Sequence, residues 1–139
     1  VLAYQYFFTE EQERYDLRED VKGNMLAKTP EFTADATLTY EGELASGNPI
    51  NVILQFIRRG EFMQRVSNNP SVDTVPEYQI FNLTVGVDFP NNMGLDFLLL
   101  NATDENGVNS SMTDVFGVAA TGIELIPPRQ VMTRLSYNF

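Results

Sequence analysis

The chain has 139 residues and a formal net charge of -10, from 9 Lys+Arg against 19 Asp+Glu, a size that fits one domain or a part of one. With 43% hydrophobic and 12% aromatic residues it is too apolar to read as disordered, and its acidity leaves no basic patch to displace counterions from phosphates, so no nucleic-acid partner is expected. It has no His, no Cys and no Trp, which removes the usual general base, every Ser-His-Asp or Cys-His arrangement, His and thiolate metal ligands, and disulfides. Neither an enzyme nor a bound metal or cofactor is expected.

The sequence opens Val1-Leu2-Ala3-Tyr4 with no Met, basic segment or cleavage site, so the chain is expected to start mid-protein. Val1 to Phe8 reads as a strand with apolar residues on both faces. Thr9 to Pro30 is a long connection crowded with Glu10, Glu11, Glu13, Asp16, Glu19 and Asp20 and interrupted by Arg14 and Arg18. Such runs are usually solvated surface; the functional alternative is ligand contact by Glu10, Glu11 and Glu13 at an extracellular mouth.

From Phe32 the alternation is nearly free of error: Phe32, Ala34, Ala36, Leu38 and Tyr40 on one side, Thr33, Asp35, Thr37, Thr39 and Glu41 on the other. Gly42 to Pro49 is a short turn. Ile50 to Phe62 is apolar on both faces, and Ile53, Phe56, Ile57 and Gly60 would also suit a helix stripe, but β-branched content and the preceding Asn48-Pro49 favour a strand. Arg58-Arg59 lie near its end. They read as an interfacial charge pair leaving an apolar band, with attraction of an anionic ligand or a lipopolysaccharide phosphate as the functional alternative.

Met63 to Pro76 is a second long connection. Glu77 to Phe89 alternates again, with Phe81, Leu83, Val85, Val87 and Phe89 against Asn82, Thr84, Gly86 and Asp88. The short Pro90-Asn91-Asn92-Met93-Gly94 leads to a strand over Leu95 to Asn101. Thr103 to Pro128 is a third long connection, and Gln130 to Phe139 alternates Val131, Thr133, Leu135, Tyr137 and Phe139 against Gln130, Met132, Arg134, Ser136 and Asn138. The expected fold is all-β, an antiparallel up-and-down meander of about six strands with short turns at one end and long loops at the other, as in outer-membrane barrels.

Two local motifs are better explained without a ligand. Asp104-Glu105-Asn106-Gly107 opens like a calcium loop, but the Gly arrives early and no Glu closes it; Asn106-Gly107 reads as a turn with φ > 0. Asn82-Leu83-Thr84, Asn101-Ala102-Thr103 and Asn109-Ser110-Ser111 match the glycosylation pattern by chance if the host is bacterial. Alternation by itself fits either a soluble sandwich, apolar face inward, or a membrane barrel, apolar face on lipid. Tyr40, Phe89, Tyr137 and Phe139 near the ends of apolar faces suit the interfacial girdle of the barrel.

The terminal Leu135-Ser136-Tyr137-Asn138-Phe139 resembles the C-terminal assembly signal of bacterial outer-membrane barrels. Gly23-Asn24-Met25-Leu26-Ala27-Lys28-Thr29-Pro30-Glu31-Phe32-Thr33 resembles the G-N-x-L-x-x-x-P-x-F/W-T stretch of TonB-dependent receptors, with Tyr40 at the position of their strand Tyr. Pro76-Glu77-Tyr78-Gln79-Ile80-Phe81-Asn82-Leu83 is similar to their P-x-Y-x-L-x-N strand opening. Asn101-Ala102-Thr103-Asp104 matches their N-L-x-D at its ends, with Ala102 replacing Leu, and Pro127-Pro128-Arg129 matches their P-P-R before the final strand. The resemblance implies the C-terminal part of a plugged transmembrane barrel of roughly 22 strands, spanning residues 1–139, in the bacterial outer membrane.

It further implies active uptake of a scarce nutrient such as a ferric siderophore, a cobalamin or a glycan. The implied partners are outer-membrane lipid and lipopolysaccharide, the barrel assembly machinery acting on Leu135, Tyr137 and Phe139, and TonB through an N-terminal part outside this chain. A soluble all-β binding module and a passive porin-type channel are the alternatives.

Overall fold

The computed structural model describes residues 21–113 and 121–139. Strand β1 spans Thr33–Glu43, β2 Pro49–Arg59 and β3 Phe62–Met63; helix α1 is the single turn Pro70–Asp73; β4 spans Thr74–Val75, β5 Tyr78–Phe89, β6 Met93–Leu100, β7 Val108–Thr113, β8 Thr121–Leu125 and β9 Gln130–Tyr137. The five long strands form one sheet in the order β1-β2-β5-β6-β9, every neighbouring pair antiparallel. The all-β, up-and-down expectation therefore holds for the described residues. The strand expected over Val1 to Phe8 lies outside them.

Period-two geometry puts alternate side chains on opposite faces, and the register carries this sorting across all five strands without a slip. One face has rows such as Leu38, Leu54, Leu83, Leu99 and Val131, then Tyr40, Val52, Val85, Phe97 and Thr133. The other has Thr37, Gln55 and Asn82, and Glu41, Asn51, Gly86, Asp96 and Arg134. It also has the row Ile53, Leu98 and Met132 and the pair Ile57 and Ile80, which blurred the alternation in the sequence.

The turns sit at opposite ends of the sheet by length. Residues 44–48 close β1 and β2, with Gly47 at φ +81 and its N–H donating to the Leu44 carbonyl. Residues 90–92 close β5 and β6, with Asn92 at φ +59. The long connections gather at the other end and hold the buried apolar residues: Phe62 in β3, Val75 in β4 and Ile126 before β9.

The connections expected as irregular contain paired structure. β3 pairs with β4, and β7 pairs with β8 in a separate two-stranded ribbon. The polar run Val108-Asn109-Ser110-Ser111-Met112-Thr113 forms half of that ribbon without the alternation that would have announced it. Strand β6 begins two residues earlier than expected, at Met93, and stops before Asn101, whose φ is +48. Gly107 does not have the positive φ expected of it. It is Gly because the Tyr78 ring lies on it: a Cβ there would stand 2.7 Å from Tyr78 Cγ.

Candidate functional site: two faces of a single-layer sheet

No residue of the apolar face is buried. Leu38 is 68% exposed, Val131 63% and Leu135 66%, and Leu54, Leu95 and Phe97 on the more central strands are also exposed. Among the described residues no second layer packs on this sheet. A soluble sandwich would set another sheet about 10 Å away, and soluble monomers seldom expose apolar patches beyond a few hundred Å².

Aromatic side chains stand at both ends of the apolar face. At the short-turn end Tyr137 and Phe139 meet edge to face at 5.1 Å, in the company of Phe89. Tyr40 leans toward the same end, since its hydroxyl occupies the space where Gly42 lacks a Cβ. At the loop end Phe56 and Phe81 pack with centroids 4.9 Å apart, and Phe32 carries the Arg58 guanidinium 5.1 Å above its ring.

The polar face bonds to itself. Gln55 Nε2 donates to Asp35 Oδ2 at 3.1 Å, Asn82 Nδ2 to Gln55 Oε1 at 3.0 Å, and the Asn101 backbone N–H to Asn82 Oδ1 at 2.9 Å, a polar chain from β1 to the end of β6. Farther along, Arg134 Nε donates to Asp96 Oδ2 at 2.8 Å.

The site residues expected from the sequence are distributed as follows. Leu135 and Tyr137 share the apolar face on the edge strand β9, and Phe139 beyond it is fully exposed. Arg58 and Arg59, expected to act as a pair, are separated by the pleat. Arg58 lies on the apolar side, bonded to Glu77 at 2.8 Å. Arg59 lies on the polar side, 4.3 Å above Phe62 and bonded to Asn109 Oδ1 at 3.3 Å. Each cation already has a partner, so the two do not form a joint anion site. Glu10, Glu11 and Glu13 lie outside the described residues. The Asn side chains of the three glycosylation patterns are engaged: Asn82 with Gln55, Asn101 with backbone carbonyls and Asn109 with Glu124. Among the described residues no group of acidic side chains is placed to hold a metal ion.

One loop node was not visible in the sequence. Asp73 is wholly buried and accepts from Arg65 Nε, from Ser67 Oγ at 2.8 Å and from the Asn69 N–H at 2.9 Å. Burial pushes its pKa up, but the bonds from Arg65, Ser67 and Asn69, with the Arg65 charge, outweigh that and hold it below the ordinary value of 3.8. Asn68, at φ +52, exchanges bonds with Met25: its Oδ1 takes the Met25 N–H at 2.7 Å and its Nδ2 reaches the Met25 carbonyl at 3.0 Å. Asn24 Nδ2 adds a bond to the Val66 carbonyl at 2.8 Å.

No family model matches this chain, and neither the curated proteins nor the solved structures give a match.

Proposed function

We propose that the sheet is wall of a transmembrane β-barrel in a bacterial outer membrane, with the apolar face on lipid and the polar face turned to the lumen. The observation that carries this is the uncovered apolar face with aromatics at both ends. Five two-residue steps separate the Arg58 row from the Tyr137 row, about 33 Å along the strands. At the roughly 40° tilt of such strands this gives a band about 25 Å tall, the height of the apolar belt of an outer-membrane barrel. Arg58 then lies at the headgroup boundary, where its stem can follow the apolar face while Phe32 and Glu77 hold the charge.

Within that reading the chain is the C-terminal portion of a TonB-dependent receptor of roughly 22 strands, working in active uptake of a ferric siderophore, a cobalamin or a glycan, and not an enzyme. This step rests on the ordered motifs and is analogy.

The absence of Cys gives a direct test. Single Cys residues at Leu38, Leu54 and Leu95, and at Thr37, Gln55 and Asp96, would be probed with a water-soluble maleimide in outer-membrane fractions of cells making the whole protein. Protection of the first set with labelling of the second is expected. Equal labelling of both sets would favour the soluble module and remove the membrane assignment.

A further inference from the structure

Three segments that the sequence set apart, around Asn82, Asn101 to Asp104 and Pro127 to Arg129, meet in one hydrogen-bonded node at the loop end of the sheet. The Asn101 N–H donates to Asn82 Oδ1 at 2.9 Å, and the Ala102 N–H to the Phe81 carbonyl at 2.8 Å. Asn101, 4% exposed, uses its entire amide: Oδ1 takes the Glu105 N–H at 2.9 Å, and Nδ2 reaches the Glu105 carbonyl at 2.9 Å and the Pro127 carbonyl at 3.0 Å. Asp104 Oδ1 takes the Arg129 N–H at 2.9 Å. Asn101 and Asp104 both have positive φ, a conformation that Asn and Asp adopt more readily than other side chains.

These contacts grip the chain on either side of Pro128, immediately before β9 starts at Gln130 opposite Leu100. A two-residue slip of β9 along β6 would keep every side chain on its own face, so alternation alone does not forbid it. The long connection between the two strands imposes no register either, in contrast to a tight hairpin. The bonds to the Pro127 carbonyl and the Arg129 N–H do, because a slipped strand would pull both atoms away from Asn101 and Asp104 and leave a buried amide unpaired. We infer that Asn101 and Asp104 are positioning residues that set the register of the terminal strand β9 against β6, and so place Leu135, Tyr137 and Phe139 along the sheet edge.

The inference uses the barrel reading only to give the terminal strand its purpose. Its test reads register whether or not the apolar face meets lipid, so its failure and the failure of the membrane assignment are separate results. In the whole protein, Cys pairs would be placed at the in-register positions Phe97 with Thr133 and Leu98 with Met132, and at the slipped positions Leu98 with Gln130 and Leu98 with Arg134. A control pair at Leu38 and Leu54 reports the sheet away from the node. Disulfide yields after oxidation would be compared in the parent and in backgrounds carrying Asn101→Ala, Asp104→Ala or both.

The parent is expected to cross-link only in register. Asn101→Ala should shift the in-register to slipped ratio by about tenfold, the factor that one lost hydrogen bond with a buried partner gives, and Asp104→Ala, whose bond to the Arg129 N–H is exposed, should shift it in the same direction by less. The control yield should stay unchanged, and Asp104→Asn, which keeps the acceptor oxygen, should behave as the parent. In-register cross-linking unaltered in the double variant would overturn the inference. Loss of the control pair together with the β6 to β9 pairs would overturn it as well, since that would make the node a general support of the fold.

Discussion

Asp96 on β6 and Arg134 on β9 are joined by a 2.8 Å ion pair on the polar face, and Gly86 on the adjacent strand leaves the space in which the Asp96 carboxylate lies. The Arg134 side chain is 71% exposed, so in water the pair is a weak tie, worth below about 1 kcal/mol. Arg134→Met is expected to cost no more than about 1 kcal/mol in urea unfolding, with the difference shrinking in high salt. A loss of several kcal/mol would show that this side of the sheet is not solvated.

Leu38 and Thr37 are neighbours on β1 that point to opposite faces, opposite Leu54 and Gln55 respectively. If lipid covers the apolar face, Leu38→Arg should cost about 2–4 kcal/mol in vesicle-based unfolding and Thr37→Arg less. In a water-soluble module the same change at a residue already 68% exposed would fall within about 0.5 kcal/mol. A neutral Leu38→Arg would favour the soluble module, and Thr37→Arg as the worse variant would reverse the assignment of inside and outside.

Asp73→Ala removes the acceptor for Arg65, Ser67 and the Asn69 N–H. It is expected to destabilise the loop by about 1–3 kcal/mol, visible as faster amide exchange across residues 64–75 with β5 and β6 unaffected. The folded pKa of Asp73 is lowered, so its stabilisation is complete above the ordinary value of 3.8 and is lost as pH falls through the depressed folded value. Asp73→Asn should abolish that acid-side change while leaving exchange at neutral pH faster than in the parent. An unaltered pH profile would show that the carboxylate does not carry it.

If Leu135, Tyr137 and Phe139 form an assembly signal of an outer-membrane barrel, deleting Phe139 should lower the amount of the whole protein in the outer membrane far more than Leu26→Ala in the long loop. Leu26, at 70% exposure, is the matched control. Quantifying both proteins in isolated outer membranes tests this, and equal amounts would remove the assembly role of Leu135, Tyr137 and Phe139.

The 139-residue chain made alone is expected to aggregate or to form oligomers. Among the described residues strands β1 and β9 stand at the two ends of the sheet order and do not pair with each other, and open edges beside an uncovered apolar face invite other chains. A monodisperse monomer without detergent in analytical ultracentrifugation would overturn this expectation and favour the soluble module.

Strand alternation was legible directly from Phe32 to Tyr40, from Phe81 to Phe89 and from Val131 to Phe139, because the two-residue period of a strand is a property of the backbone and needs no partner. The contrast of short turns and long connections was equally plain, since Gly47 and the Pro90-Asn91-Asn92 run announce tight turns locally. The β7 and β8 ribbon was hidden because β7 is mostly polar and a bulge between Val108 and Ser110 breaks its period, although Ile123 and Leu125 alternate with Gly122 and Glu124 in β8.

The separation of Arg58 from Arg59 follows from the same period, but which aromatic each cation covers depends on where Phe32 and Phe62 arrive. The sequence shows Asn101, Asp104 and Pro127 as isolated punctuation. The bond from Asn101 to Pro127, across 26 positions, exists only once β6 and β9 have paired in one register. Alternation thus determined which residues share a face, a matter of backbone geometry. The tertiary structure decided what lies along and beyond each strand, because register is set by contacts between residues far apart in the chain.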